Sequence, residues 1–521
     1  MLKQIIVYLS IITQILFYPQ YTEAKPNSIL YIPLDNRPVS LSYIQKTAEF
    51  YGVTLVTPPL ELIASHDHPG NPDKLMQWLI KNANTADKAL VATDSLIYGG
   101  LVASRTHYYT PEQLLKRAKS LNTIKQINPS LKIYAYSTIM RTPRHSLEPF
   151  EPYYYEQYGG FIFRLTQLLD KEDLQGGKLN KLDNIEKSNM ISLVPEDYLH
   201  DWFSRRQKNL VIHYYLLKNY ANNSFYFYTI GKDDSAELSQ THMETRHINK
   251  NLPANTPSDF HVLPGVDQLA MLLLARATSE EYAIKPRIYI DYADTVGSAT
   301  ISLYSDQPIY SSVLAQTEAV GAELAINRKD ADFTLAVYTP DKGVSRESID
   351  KYNSTFPSLH SQKFAEHLRK LTIEKHKIAL ADVAFVNGST NGLMKTLDTY
   401  NVLDKLLAYS GWNTVDNTIG YTLAQAIMSL KMTNAQREFL LKTRLLDDWL
   451  YQSNVRFDTI DSYVGQNRNK QYHLGSDTPK YEKIITRAMN DEVLKTYYLS
   501  TTNFSIKLPW KRMFDAEIII H

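Results

Sequence analysis

Lys88-Ala-Leu-Val-Ala-Thr-Asp94-Ser95-Leu-Ile-Tyr98-Gly99-Gly100-Leu-Val-Ala-Ser-Arg105 is the stretch whose reading decides the fold. Ala89 to Ala92 is a short unbroken apolar run, the pattern of a strand covered on both faces. It stops at Thr93-Asp94-Ser95, which places polar groups at the strand's carboxyl tip. Tyr98 and a glycine pair follow, and glycine lets a backbone bend sharply or approach a ligand closely. Arg105 closes the segment with a guanidinium able to fork onto a carboxylate or anion. Ligands of α/β proteins bind at strand tips, so Asp94, Ser95, Tyr98 and Arg105 become candidate substrate-binding residues. The alternative for Asp94 is a helix cap.

The same layout recurs outward from this segment. Ile29 to Leu34 reads as a strand ending in Asp35-Asn36-Arg37, and Lys132 to Met140 as one ending in Arg141. Ser224 to Ile230 leads to Gly231-Lys-Asp233-Asp234-Ser235, Phe260 to Pro264 leads to Gly-Val-Asp267, and Arg287 to Ile290 ends in Asp291. Helical stretches at 42–51, 72–82 and 111–127 alternate with strands, the signature of a parallel sheet with helical crossovers. This alternation up to about residue 295 predicts an α/β fold with an N-terminal (β/α)8-like barrel. An open doubly wound sheet is the alternative. The expected organisation is a signal peptide over 1–24, a barrel-like catalytic domain over 25–300 with a helical insertion at 152–220, and a smaller C-terminal α/β and helical region over 301–521.

The bulk numbers narrow the class. A chain of 521 residues with 44% hydrophobic and 21% charged residues is an ordinary globular protein, too long for one small core. A net charge of +1 gives no reason to expect nucleic acid. Lys3, the apolar run Ile5 to Phe17 and the small Ala24 have the order of a secretory signal, and the run is too short and interrupted for a stable membrane span. Export to the periplasm or the outside is therefore expected. The absence of cysteine excludes disulfides, thiolate metal sites and cysteine nucleophiles.

Asp233-Asp234 is the sharpest chemical feature. Two adjacent carboxylates repel, so one can hold a raised pKa and act as general acid while the other stays ionised. Glycosidases use a pair of carboxylates. The competing reading is turn chemistry with a helix cap. Asp35, Asn36, Arg37, Arg141, Asp267 and Asp291 join the candidate binding set as strand-tip residues. So do Asn387 and Asn391 in a glycine-rich loop, and Trp412, Asn413, Asp416 and Asn417 in Gly411-Trp-Asn-Thr-Val-Asp-Asn-Thr418. There a tryptophan beside amides suits a sugar, and an internally bonded loop is the other reading. His66-Asp67-His68 lies in a Pro- and Gly-flanked loop and reads as surface, so no metal or other cofactor is expected. No His-Glu-x-x-His, Gly-x-Ser-x-Gly or phosphate-binding glycine fingerprint is present.

Tyr31-Ile-Pro-Leu-Asp-Asn-Arg-Pro38, Asp94 to Arg105 and Gly411 to Gly420 together resemble the bacterial family called domain of unknown function 4127, with Asp233-Asp234 and Pro264-Gly-Val-Asp267 fitting its middle section. The resemblance implies one full-length unit and brings no reaction with it. The residues themselves predict an exported glycosidase acting on a carbohydrate, N-acetylated sugars among the candidates, with Asp234 as acid and Asp233 as its partner. The alternatives are a non-catalytic glycan-binding protein of the envelope and a metal-dependent hydrolase or deacetylase.

Overall fold

The computed structural model describes residues 27–281 and 285–521; the expected signal segment lies outside the described residues. The first sheet contains β1 (Ser28–Ile32), β2 (Thr54–Val56), β3 (Lys88–Ala92), β4 (Lys132–Ile139), β5 (Phe227–Lys232) and β6 (Val262–Pro264). All its pairings are parallel, in the order β2-β1-β3-β4-β5-β6. β2 and β6 are its two edges and do not pair with each other, so the sheet is open and does not close into the expected barrel.

The physical reason for the open sheet lies in β7 (Arg287–Tyr292). This strand was expected to continue the first sheet. Instead it starts a second one with β8 (Glu323–Leu324), β9 (Phe333–Tyr338), β11 (Ile378–Asp382) and β13 (Ala408–Ser410), again all parallel. Two short ribbons complete the strands, β10 (Arg346–Glu347) with β12 (Phe385–Val386) and β14 (Phe504–Lys507) with β15 (Glu517–Ile520). The second sheet's order, β13-β11-β9-β7-β8, repeats the winding of the first. In both, the second strand lies outside the first and the chain then crosses back to the other side. Such a reversal opens a crevice at the carboxyl ends of the strands.

The two sheets face each other across a shared layer of helices. Leu269–Glu281 packs on β3 and β4, while Val415–Ser429 packs on β11 and against Leu269–Glu281. Every residue of Val415–Ser429 is buried, the condition of a helix with protein on all sides. One continuous core runs from Tyr31 and Tyr134 on the first sheet, through Leu273 and Ile419, to Leu335 and Ala379 on the second. The outer face of the first sheet is covered by helices that include Pro72–Asn82, Pro111–Ile127 and Glu196–Ala221. The outer face of the second is covered by Leu359–Ile373, Thr478–Val493 and a π-helical turn region, Leu445–Val455. Burial on both faces accounts for the unbroken apolar strands. Among the described residues no helix is long and apolar enough to cross a membrane.

Candidate functional site

A pocket of about 510 Å³ opens at the carboxyl ends of the first sheet and is closed on its far side by the second unit and the C-terminal segment. Asp35 and Arg37 enter it from the end of β1, Arg105 from the helix Leu101–Thr106, and Arg141 from the end of β4. Asp233 and Asp234 follow β5, and Asp267 follows β6. The second unit contributes Asn387, Asn413 and Asn417. These ten were all expected at the site from their positions after strands or in polar loops.

Their side chains form arginine–carboxylate units. Arg37 Nε donates to both oxygens of Asp35 at 3.0 and 2.9 Å, and its Nη1 and Nη2 reach Asp267 at 3.1 and 2.7 Å. Asn413, across a cis Trp412–Asn413 peptide bond, donates to Asp267 Oδ2 at 3.0 Å. Asn417 Oδ1 accepts the backbone N–H groups of Val266 and Asp267 at 3.0 and 3.1 Å. Only glycine fits at 265, since φ is +78° and a Cβ would come within 2.6 Å of that same Asn417 oxygen. Burial pushes the Asp35 carboxyl up, against the opposing pull of Arg37.

Arg105 Nε donates to Asp233 Oδ2 at 2.9 Å. Arg141 donates through Nη1 to Asp234 Oδ2 at 2.9 Å, and through Nε and Nη2 to the two oxygens of Glu151 at 2.7 and 3.1 Å. Glu151 is fully buried and also receives Arg105 at 3.4 Å, so it ties both arginines together. Asp234 sits at φ +27°, unusual for a residue with a Cβ. Desolvation raises its pKa from 3.8 to about 6; Arg141 works against the rise and the neighbouring Asp233 carboxylate adds to it. One member of the pair is therefore pushed toward neutrality at a moderately acidic pH, the condition for a general acid.

The other expected residues lie outside the pocket lining. Ser95 is structural: its Oγ donates to the carbonyls of Pro33 and Leu34 at 2.6 and 3.1 Å, fixing the end of β1. Gly99 and Gly100 serve close approach to protein rather than to a ligand, since added Cβ atoms would meet Gly70 O and Ala64 Cβ at 2.7 Å. Tyr98 is buried and stacks on His107 with centroids 5.0 Å apart. Asn36 accepts from Trp510 Nε1 at 2.6 Å and so anchors the C-terminal wall. Asn391 is engaged by Asn353 and Asn454. Trp412 is buried against Phe514 at 5.2 Å. Asp416 is buried beneath the site, near Lys232 and Asp306. Asp291 is held by Arg328 and His367 on the second sheet.

Asp94 is buried below the floor with neither carboxylate oxygen hydrogen-bonded. Desolvation raises its pKa to about 7; the nearby Thr138 hydroxyl and amide oppose this without making a hydrogen bond of regular geometry. It is a buried acid beside the site rather than a wall residue.

Several wall residues carry no strand-tip signal and were missed. Tyr304 lies in a turn between the units, and Tyr472, Trp510, Arg512 and Phe514 in the irregular C-terminal segment; the buried Glu151, which does not line the pocket but holds two of its arginines, lies in a proline-flanked loop. Arg512 lies over the Phe150 and Trp510 rings at 4.5 and 5.0 Å. His66 packs edge-on to Phe150 and Trp510. Among the described residues no group of three or more histidine, aspartate or glutamate side chains is arranged to hold a metal ion.

The chain belongs to the family described as protein of unknown function DUF4127, whose model matches residues 29–519. No curated protein and no solved structure matches it.

Proposed function

We propose that this protein is an exported glycoside hydrolase, with Asp234 as the general acid that protonates the leaving glycosidic oxygen. The observation that carries the reading is a pocket-wall carboxyl whose pKa is raised to about 6, next to an arginine-paired carboxylate in the same turn. Asp233, fixed by Arg105, orients the substrate, and Asp267, fixed by Arg37 and Asn413, is the carboxylate that activates water. The volume suits a small polar ligand, and the wall mixes aromatic rings with amides and paired charges, as a neutral polyhydroxylated substrate requires.

A non-catalytic glycan binder is the second reading. It is favoured by the pairing of Asp35, Asp233, Asp234 and Asp267 with arginines, which suits static recognition as well as chemistry. The discriminating experiment is a screen of residues 25–521 against chromogenic glycosides, N-acetylhexosaminides included, with and without chelator. Release that survives chelation and is lost in Asp234→Asn is the expected result. Equal release by wild type and variant overturns the assignment. Sugar binding without release establishes the binder, and chelator-sensitive release moves the chemistry to a metal.

A further inference from the structure

We infer that the pocket mouth carries an aromatic subsite built on Tyr304, and that the substrate is a glycan whose units extend from the pocket across that ring. The inference rests on the sugar reading of the site and specifies its substrate class.

Tyr304 lines the pocket yet remains 42% exposed, so its ring is available at the rim. Its backbone is in the left-handed region, φ +66°. For a bulky side chain that conformation is strained and persists only where surrounding contacts impose it. Those contacts are present. The Tyr304 carbonyl accepts the N–H of Ser235, next to Asp234, at 2.9 Å. Its hydroxyl donates to Glu347 Oε1 at 2.6 Å, and the other oxygen of Glu347 accepts from Asn387 Nδ2 at 2.9 Å. Asn387 is itself a pocket residue, with φ +61°. The ring is thus fixed between the acid turn of the first unit and the polar loop of the second.

Leu303, joined through its N–H to Ser345 Oγ at 3.2 Å, is also exposed. An aromatic with a polar handle offers an apolar face and a hydrogen-bonding edge together. Sugar rings present the complementary pair, an apolar C–H face and a rim of hydroxyls. A ring pre-positioned at the rim suits a sugar unit lying just outside the pocket, beyond one held within it.

The test uses full-length Asp234→Asn protein, so that ligands survive, with calorimetric titration of two ladders, N-acetylglucosamine and glucose oligosaccharides from monosaccharide to hexasaccharide. Affinity is expected to rise by about tenfold or more with length on one ladder. Adding Tyr304→Gly should abolish that gain. Glycine tolerates φ +66°, so Tyr304→Gly removes the ring without straining the turn, and circular dichroism checks the fold. A length gain that survives Tyr304→Gly overturns the subsite. Equal affinity for all lengths overturns it while leaving the sugar site standing. No binding on either ladder overturns the sugar reading together with the subsite.

Discussion

Arg141 Nη1 meets Asp234 Oδ2 at 2.9 Å while the rest of its guanidinium is fixed on Glu151. A cation held by a second, fully buried carboxylate cannot swing away from the first. The two largest influences on the acidity of Asp234, burial and Arg141, are therefore both fixed and of opposite sign, with burial the larger.

If protonated Asp234 is the acid, the active form is present below about pH 6 and disappears as pH rises through that value. On glycosides with poor leaving groups, kcat/KM should fall by about tenfold per pH unit above the midpoint. Asp234→Asn should lower turnover by about 10²- to 10⁴-fold with the fold retained. A pH–rate profile that stays flat across the neutral range contradicts this role.

Arg141→Gln removes the influence that lowers the Asp234 pKa, so the alkaline limb should move to higher pH, by roughly one unit. The variant should also be less stable, because Glu151 loses its bidentate partner. A limb that moves to lower pH would show that another group controls it.

Asp94 makes a stability prediction of unusual sign. Its folded pKa, about 7, lies above its ordinary value of 3.8, so the folded state holds the proton more tightly. Its stabilising contribution is fully present below about pH 4 and is lost as pH rises through about 7. Asp94→Asn should therefore raise the melting temperature more at pH 8 than at pH 5, by an amount corresponding to at most on the order of 4 kcal/mol. Thermal scans at both pH values check it; equal changes would mean that the carboxyl is solvated or paired.

Asn417→Ala removes the acceptor of two buried N–H groups at the turn carrying Asp267. The expected loss is about 1–3 kcal/mol in urea unfolding, with a larger drop in turnover than the stability change explains, since Asp267 is then less well held. Asn417→Asp retains an acceptor oxygen and should recover most of the stability.

Much of the site was legible because chemistry at strand tips leaves a simple trace. An apolar run followed by Asp, Asn or Arg marked Asp35, Arg37, Arg141, Asp233 and Asp267, and the polar loop after β13 marked Asn413 and Asn417. The same trace also picked up Ser95 and Asp291, because a strand tip needs its own hydrogen bonds as much as a ligand does. Trp510 and Glu151 left no trace, since the place of Trp510 in the wall and the hold of Glu151 on Arg105 and Arg141 depend on long-range packing of irregular segments. The alternation of strand and helix gave the α/β class. Whether the sheet closes depends on which neighbour β7 chooses, and local pattern carries no information about that choice.

The helix Val415–Ser429, buried on every side between the sheets, has a consequence for how the molecule can be divided. Cutting the chain near residue 300 would strip the apolar surface of Leu269–Glu281 from its partner and leave each piece with half a core. The two sheets should melt in one calorimetric transition, and neither half should be recoverable as a stable fragment. Two sheets that share one interior leave little freedom for one to swing against the other, so the cleft's width should change little when a ligand arrives. Recognition should then depend on a shape the polypeptide already holds.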